Sequence, residues 1–231
     1  MDNQLSATIL SLLITIFAYR FSRWLGRKTN HPLFTPILPA TIIAIWMLTT
    51  LEISYEEYEW AYKGITYLLG PATVALAVPL YHHWPTIRKY FLPSLIGIIV
   101  GSTVTLLAAI TLAHLLGVEQ ELSLPLLLKS ITTPVAVEVG KIIHLNPTLI
   151  AFYVTVTGMT GAVFGGWWMK WARITDPLAR GLSFGTISHG IGTSEAVKEG
   201  ELQGAVSAVS MGVAAVLTAC LIPVIISFIN S

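Results

Sequence analysis

Hydrophobic residues in this chain fall into long, nearly uncharged runs separated by short polar loops. Runs of about 20 apolar residues are typical of helices that cross a membrane. Residues 124–145 and 182–200 are also apolar, but polar residues, proline or glycine interrupt them. Six uninterrupted runs are predicted to cross fully: 5–21, 37–51, 64–81, 92–116, 148–169 and 202–229. The pattern predicts an all-α polytopic membrane protein with about six full transmembrane helices and two broken or re-entrant segments.

Composition agrees with this class, because 54% of the 231 residues are hydrophobic and only 11% are charged. Soluble domains carry about 25% charged residues. The net charge of +1 argues against a nucleic-acid partner. We expect one transmembrane domain over residues 1–231, in which residues 1–60 form a two-helix scaffold and residues 61–231 form a transport core.

The distribution of charge predicts the orientation of the chain. Lysine and arginine concentrate in loops on the cytoplasmic side of a membrane. Three loops are basic, namely 20–28, 82–90 and 170–180. Two loops are acidic, namely 52–60 and 117–123. All five obey the rule if the N-terminus lies outside and if segments 124–145 and 182–200 re-enter from opposite faces. Such an inverted repeat places transporter sites near the middle of the membrane. The alternative is eight full crossings, two of them broken.

Segment 182–200 combines apolar residues with an unusual density of glycine and hydroxyl groups. Glycine sustains a helix poorly, and a break at membrane depth is tolerated only inside protein or beside a water-filled cavity. We predict the break at residues 190–194, with Glu195 beginning the next helical piece. Amides freed at a helix start would bind an anion. The alternative is an ordinary helix with a glycine-rich packing face.

Segment 124–145 has the same character. Its middle, Thr132-Thr133-Pro134, predicts a helix start at which a threonine caps and proline occupies the first turn. It also carries three charged residues: Lys129, Glu138 and Lys141.

Ionisable residues inside membrane segments are candidates for function. Histidine changes charge near neutral pH, so we hypothesise that His189 and Glu195 form a proton-linked pair. The alternative for His189 is a packed side chain satisfied by a backbone carbonyl. Ser188 and His189 are adjacent, so their side chains diverge, and no nucleophile elbow is present. We therefore expect no enzyme activity, no cofactor and no metal site.

Proline and glycine predict local geometry in the uninterrupted runs. Pro71 and Pro79 should kink or break the run at 64–81. Two G-x-x-x-G pairs should mark close helix contacts: Gly97 with Gly101 and Gly161 with Gly165.

Two stretches, T-T-P-V-A-V-E-V-G at 132–140 and S-F-G-T-I-S-H-G-I-G-T-S-E-A at 183–196, resemble the signature stretches of the LrgB/CidB family of membrane proteins. The resemblance covers nearly the whole chain. The family includes holin-like and antiholin-like bacterial proteins, the plastid glycolate/glycerate translocator and bacterial pyruvate-uptake components. It implies the bacterial cytoplasmic (inner) membrane, a small LrgA/CidA-type membrane protein as partner, and a homo-oligomer.

The resemblance also implies a substrate, namely a small 2-hydroxy or 2-oxo monocarboxylate moved by alternating access. The alternative function is a holin-like or antiholin-like pore or regulator of murein hydrolase export. The expected substrate-binding residues are Thr132, Thr133, Pro134, Ser188, His189, Gly190, Gly192, Thr193 and Ser194. The expected ion-coupling or paired charges are His189, Glu195, Glu138 and Lys129.

Overall fold

A computed structural model gives the fold of residues 2–29 and 31–229. This part of the chain forms twelve α-helices and contains no strand. The helices are α1 (Asp2–Thr29), α2 (Ile37–Thr50), α3 (Tyr55–Tyr67), α4 (Leu69–Ala75), α5 (Ala77–His82), α6 (Trp84–Lys89), α7 (Phe91–Leu115), α8 (Gln120–Ser123), α9 (Thr133–Ile142), α10 (Pro147–Trp171), α11 (Pro177–Glu199) and α12 (Glu201–Ile229). Short 3₁₀ turns occupy Pro32–Phe34 and Leu124–Leu128.

Five helical stretches of the described chain are long and apolar enough to cross a membrane, which confirms the polytopic membrane class. They are Gln4–Thr29, Tyr55–His82, Phe91–Leu115, Pro147–Trp171 and Glu201–Pro223. The sixth predicted span is α2, which has 14 residues. At 1.5 Å per residue it is about 21 Å long, shorter than the ~30 Å hydrocarbon layer.

The chain divides into two compact units, Met1–Ala77 and Val78–Ser231. In the first unit α1 packs against α2 and α3. The prediction of an acidic loop at residues 52–60 is wrong over most of this range, because α3 begins at Tyr55. Ser54 and Glu57 form a capping box that starts this helix. The boundary suggested at residue 60 stays a prediction.

The run at 64–81 is interrupted as its prolines predicted. The helix stops after Tyr67 and again after Ala75, and the next pieces, α4 and α5, carry Pro71 and Pro79. Proline lacks an N–H and clashes with the preceding turn, so each break lies just before a proline.

In the second unit, α11 folds back on itself and forms a C-terminal hairpin (residues 177–199). Its backbone is non-helical at His189, with φ 41° and ψ −135°. Arg180 Nε donates to Glu199 Oε2 at 2.6 Å, although these residues would lie about 28 Å apart on a straight helix. A Cβ built on Gly192 would lie 2.7 Å from the carbonyl oxygen of Phe184. The two arms therefore run side by side.

The position of this break differs from the prediction. The non-helical residue is His189, and residues 190–199 continue as helix, so neither the break at 190–194 nor the helix start at Glu195 is correct. Glycine was expected to supply the bend. Here it serves close packing instead, since Gly192 lets the returning arm approach Phe184.

Residues 124–142 form a second turnback, the central hairpin. Its first arm is the 3₁₀ turn Leu124–Leu128, and its second arm is α9, which at ten residues is about 15 Å long. A Cβ built on Gly140 would lie 3.6 Å from Leu128 Cδ1, so the arms lie against each other. This arm is too short to cross a membrane, which favours re-entry over a full crossing.

The bases of the two hairpins lie at opposite ends of α10. The central hairpin packs on the first turns of α10, where a Cβ on Gly140 would overlap Ile150. The base of the C-terminal hairpin lies at the other end, where a Cβ on Gly166 would lie 3.4 Å from Glu199 Oε1. The hairpins thus enter from opposite sides, as an inverted repeat requires.

Helix α12 also packs against both hairpins, but it meets them in the opposite order along its length. Near its start, Ser207 lies against Gly185 and Thr193 of the C-terminal hairpin. Near its end, Ile222 and Ile226 belong to the hydrophobic core that the central hairpin forms with α10. Each hairpin is therefore held between α10 and α12.

The predicted pair of Gly161 and Gly165 lies at a close helix contact. Among the described residues, Gly101 of the other pair makes a contact and Gly97 does not. A Cβ on Gly161 would overlap the Ser188 side chain, and one on Gly165 would lie 2.9 Å from the Phe184 ring. Gly101 makes an ordinary contact with Thr186, 3.5 Å from an added Cβ. The prediction for Gly97 is wrong, because no atom of the described residues lies within 4 Å of an added Cβ.

We expect Gly161→Leu to prevent stable folding. The new side chain would occupy the space of Ser188, and overpacking of this kind costs about 1–3 kcal/mol or more. The measurement is the yield and melting temperature of the detergent-purified protein. Gly97→Leu is the matched control and should purify normally, because its position is open. Equal behaviour of the two variants would show that the contact between α10 and the C-terminal hairpin is not tight.

Candidate functional site

The two hairpins meet on one face of α7. Gly101 contacts Thr186 of the C-terminal hairpin, and one turn further along, Thr105 Oγ1 accepts a hydrogen bond from Lys129 Nζ at 2.7 Å. Residues four apart in a helix are neighbours on its surface. The bend of the central hairpin is therefore close to the inner part of the C-terminal hairpin.

Helix α10 also holds the C-terminal bend, and it shares a buried core with the central bend. His189 Nε2 donates to the carbonyl oxygen of Val154 at 3.0 Å. Val154 is fully buried in the core that contains Ile131, at the bend of the central hairpin. The same short stretch of α10 thus supports both breaks. This burial inside protein is the condition under which broken helices are tolerated in a membrane.

A cavity of about 370 Å³ lies where the hairpins meet α10. Lys129 comes from the central hairpin, Ser188 comes from the C-terminal hairpin, and both line it. Helix α10 contributes Thr157 and Thr160. Among the described residues, the polar lining therefore consists of one ammonium group and several hydroxyl groups. A site of this composition suits an anion that also accepts hydrogen bonds.

Lys129 is the charged residue of this lining. Its ammonium group is half-buried and donates to Thr105 Oγ1 and, at 3.0 Å, to Ser130 Oγ. Among the described residues no carboxylate pairs with it. An ammonium group has three donors, so two hydroxyl acceptors leave capacity for one more. Lys129 is thus oriented by neutral groups, and no carboxylate among the described residues compensates its positive form.

His189 lies beside the cavity rather than in its lining, and only 3% of it is exposed. A carbonyl oxygen can only accept a hydrogen bond, so Nε2 of His189 must carry the proton that it donates to the Val154 carbonyl. A positive φ at a residue other than glycine costs roughly 1–3 kcal/mol and persists only where surrounding structure enforces it. This hydrogen bond is one such constraint.

The residues after the bend support the second arm. Thr193 Oγ1 contacts the His189 carbonyl at 2.8 Å and Ser207 Oγ at 2.9 Å, which joins this arm to α12. Ser194 is exposed and donates to the Ile191 carbonyl. Gly192 is buried between the arms, and Gly190 lies beside Met211. Of the predicted binding residues in this hairpin, Ser188 is the one that lines the cavity.

The predicted carboxylates pair with lysines on their own helices. Glu195 Oε1 accepts from Lys198 Nζ at 2.6 Å, and Glu138 Oε1 accepts from Lys141 Nζ at 2.6 Å. The second pair is exposed. His189 and Glu195 are not brought together, since each has another partner.

The sequence T-T-P at residues 132–134 starts α9 as predicted. Thr132 is extended, with ψ 140°, and its carbonyl accepts from Ala136 N at 2.9 Å. The expected cap is wrong, because the Thr132 side chain makes no capping hydrogen bond. Pro134 is exposed, and these three residues are not among the described residues that line the cavity.

Several residues near the cavity were not predicted from the sequence. Thr105, Thr157 and Thr160 lie in clean apolar spans, where threonine also satisfies its own helix, as Thr160 does at the Val156 carbonyl. The i, i+3 spacing of Thr157 and Thr160 beside Gly161 was the available signal. The pair of Arg180 and Glu199 was missed because it depends on the fold-back.

Comparison with known proteins gives a consistent result. The model of the LrgB-like family matches residues 15–228. The chain is 36% identical to the "Uncharacterized protein YxaC" of Bacillus subtilis, over 96% of this chain and 97% of that protein. It is 30% identical to the "Holin-like protein CidB" of Staphylococcus epidermidis, over 97% and 98% of the two chains. It is 28% identical to the "Antiholin-like protein LrgB" of Bacillus cereus, over 95% and 96%. No solved structure matches the chain.

The family match spans both hairpins, α10 and α12, so it includes every element of the cavity. The resemblance noted in the two signature stretches is thereby confirmed over nearly the full length. This chain is a multi-pass membrane protein that belongs to the LrgB-like family.

Proposed function

We propose that this protein is a secondary transporter of small monocarboxylates, of the 2-hydroxy and 2-oxo acid type. The observation that carries the proposal is the half-buried Lys129, which faces the cavity and has no carboxylate partner among the described residues. A charge at membrane depth is costly unless it pairs with an opposite charge. A bound carboxylate would supply that charge and accept the free N–H.

The hydroxyl lining supports the same substrate class. Lys129 would bind the carboxylate, and Ser188 and Thr157 would hydrogen-bond the neighbouring hydroxyl or oxo group. One ammonium group matches one carboxylate. A dicarboxylate would leave a second charge desolvated in an apolar wall, which is unfavourable.

The inverted hairpins supply a means of alternating access. We propose that movement of one hairpin relative to α10 opens the cavity toward the side from which that hairpin enters. Hairpins of this kind serve as the discontinuous helices of many secondary transporters. The Arg180–Glu199 pair ties the arms of the C-terminal hairpin at its base, so these arms should move as one body.

The names of the relatives favour a second candidate. Staphylococcus and Bacillus relatives are called holin-like and antiholin-like, so this chain is also a candidate pore or a regulator of murein hydrolase export. Saturable uptake with competition among acids indicates a transporter, and unsaturable flux indicates a pore. Under either function we propose the bacterial cytoplasmic membrane, an N-terminus outside, a homo-oligomer and an LrgA/CidA-type partner.

An intramembrane hydrolase is the third possibility, and the geometry gives it no support. The His189 ring proton is on the nitrogen that faces the Val154 carbonyl, and Ser188 precedes it in the chain. We propose that the protein is not an enzyme.

Lys129→Met should reduce saturable uptake of labelled pyruvate, lactate and glycolate into proteoliposomes about 10- to 100-fold. That range corresponds to loss of a charge-assisted hydrogen bond of about 1.5–3 kcal/mol. Methionine keeps the length and apolar stem of the side chain. Lys141→Met is the control, because Lys141 is exposed and pairs with Glu138, and its uptake should stay within about twofold. Normal uptake by folded Lys129→Met would remove Lys129 from the site.

We also propose that transport is proton-linked, with His189 as the titrating residue. His189→Gln keeps a donor for the Val154 carbonyl but removes the titration. It should weaken accumulation driven by a pH gradient about tenfold, while exchange of substrate at equal pH stays within about threefold. Glu195→Gln should change neither, since Glu195 contacts Lys198 instead. Equal loss of both activities in His189→Gln would assign the histidine a structural role.

A further inference from the structure

The cavity has two chemically different ends. Lys129, Ser188 and Thr157 lie where the hairpin bends meet α10. The lining then follows α10 toward Trp168 and Met169, and it follows the C-terminal hairpin back to Phe184. From Thr157 to Met169 the helix rises about 18 Å. The polar end is therefore followed by a long, mainly apolar end, where the hydroxyl groups of Thr160 and Ser183 donate to carbonyls of their own helices.

We infer that the substrates include monocarboxylates with a branched or aromatic side chain, and that such acids bind more tightly than pyruvate. This inference rests on the proposed transport of monocarboxylates. The carboxylate occupies the Lys129 end, and the side chain occupies the apolar end. Phe184 is 2% exposed and Trp168 is 63% exposed, so this end has a buried wall and an open rim.

The volume of the cavity supports this assignment. At about 370 Å³ it falls within the ~300–1,000 Å³ range of sites that hold drug-sized ligands. Pyruvate has a single methyl group beyond its two functional groups and would contact only the polar end. A branched or aromatic body would fill the space between Phe184 and Trp168. Each further buried methylene should improve affinity up to about fourfold.

The charge of the lining limits the class to monoanions. Lys129 is the one charged residue among the described residues that line the cavity. Arg180 lies beside this end, 3.7 Å from a Cβ built on Gly166, but Glu199 already pairs with it, so a second carboxylate there would have no free partner. Aromatic walls instead favour an aromatic or branched hydrocarbon body, which they contact by offset or edge-to-face packing.

The test is inhibition of labelled pyruvate uptake by a graded series of unlabelled acids. Glycolate, pyruvate, 4-methyl-2-oxopentanoate and phenylpyruvate share the head group and differ in body size. We expect the last two to inhibit at concentrations at least tenfold below that of pyruvate. When loaded inside the vesicles, they should also accelerate pyruvate entry, which separates substrates from mere blockers. Protein-free liposomes correct for passive leak.

Trp168→Ala should remove the aromatic wall of the apolar end, which lies about 16 Å along α10 from Thr157. We expect it to raise the inhibitory concentration of phenylpyruvate at least fivefold and to leave that of pyruvate within about twofold. Trp171→Ala is the matched control, because Trp171 is an exposed tryptophan of the same helix that is not among the described lining residues. It should change neither value.

The outcomes separate this inference from the function on which it rests. Transport of glycolate and pyruvate without effect of the bulky acids would overturn the inference and leave monocarboxylate transport standing. If none of the acids shows saturable uptake, both the inference and the proposed monocarboxylate transport are overturned. Inhibition by bulky acids that is insensitive to Trp168→Ala would place their binding elsewhere and would also overturn the inference.

Discussion

The cost of an unpaired backbone amide or carbonyl in hydrocarbon is the constraint on which this structure depends. The chain breaks two helices at membrane depth, and both breaks must therefore be buried in protein. Helices α7 and α10 meet this need by contacting both bends at their middles. The contact is close because Gly158 and Gly161 of α10 carry no side chain where His189 and Ser188 approach. The breaks, the glycine face and the site are parts of one arrangement.

Two broken helices that face each other leave a cavity that neither could enclose alone. The hairpins enter from opposite ends of α10, so their bends bring Lys129 and Ser188 to the same space. The hydroxyl groups of Thr105 and Ser130 hold the ammonium group without neutralising it. The result is an ammonium group that has no anionic partner among the described residues. This is the feature on which the proposed carboxylate transport rests.

The sequence predicted what depends on local chemistry. Apolar runs identified the spans, Pro71 and Pro79 marked breaks, and the two polar segments were recognised as interrupted. It did not predict which residue adopts the non-helical conformation, because glycine is the local favourite and His189 is held by a distant carbonyl. It also paired His189 with Glu195, whereas Glu195 has Lys198 one helical turn away. Tertiary contacts decided these points, and Thr105 and Thr157 entered the site for the same reason.

The central claim is that a carboxylate binds between the two hairpins beside Lys129, and substrate protection tests it most directly. Thr157→Cys would place a thiol in the half-buried lining of the cavity, in a background where the exposed Cys220 is replaced by serine. Gln120→Cys, in the exposed part of α8 outside the membrane-spanning helices, is the matched reference. The measurement is the rate of maleimide labelling in membranes with and without pyruvate. The account predicts that pyruvate slows labelling of Thr157→Cys severalfold and leaves Gln120→Cys unchanged. Labelling of Thr157→Cys at the same rate with saturating substrate would contradict it.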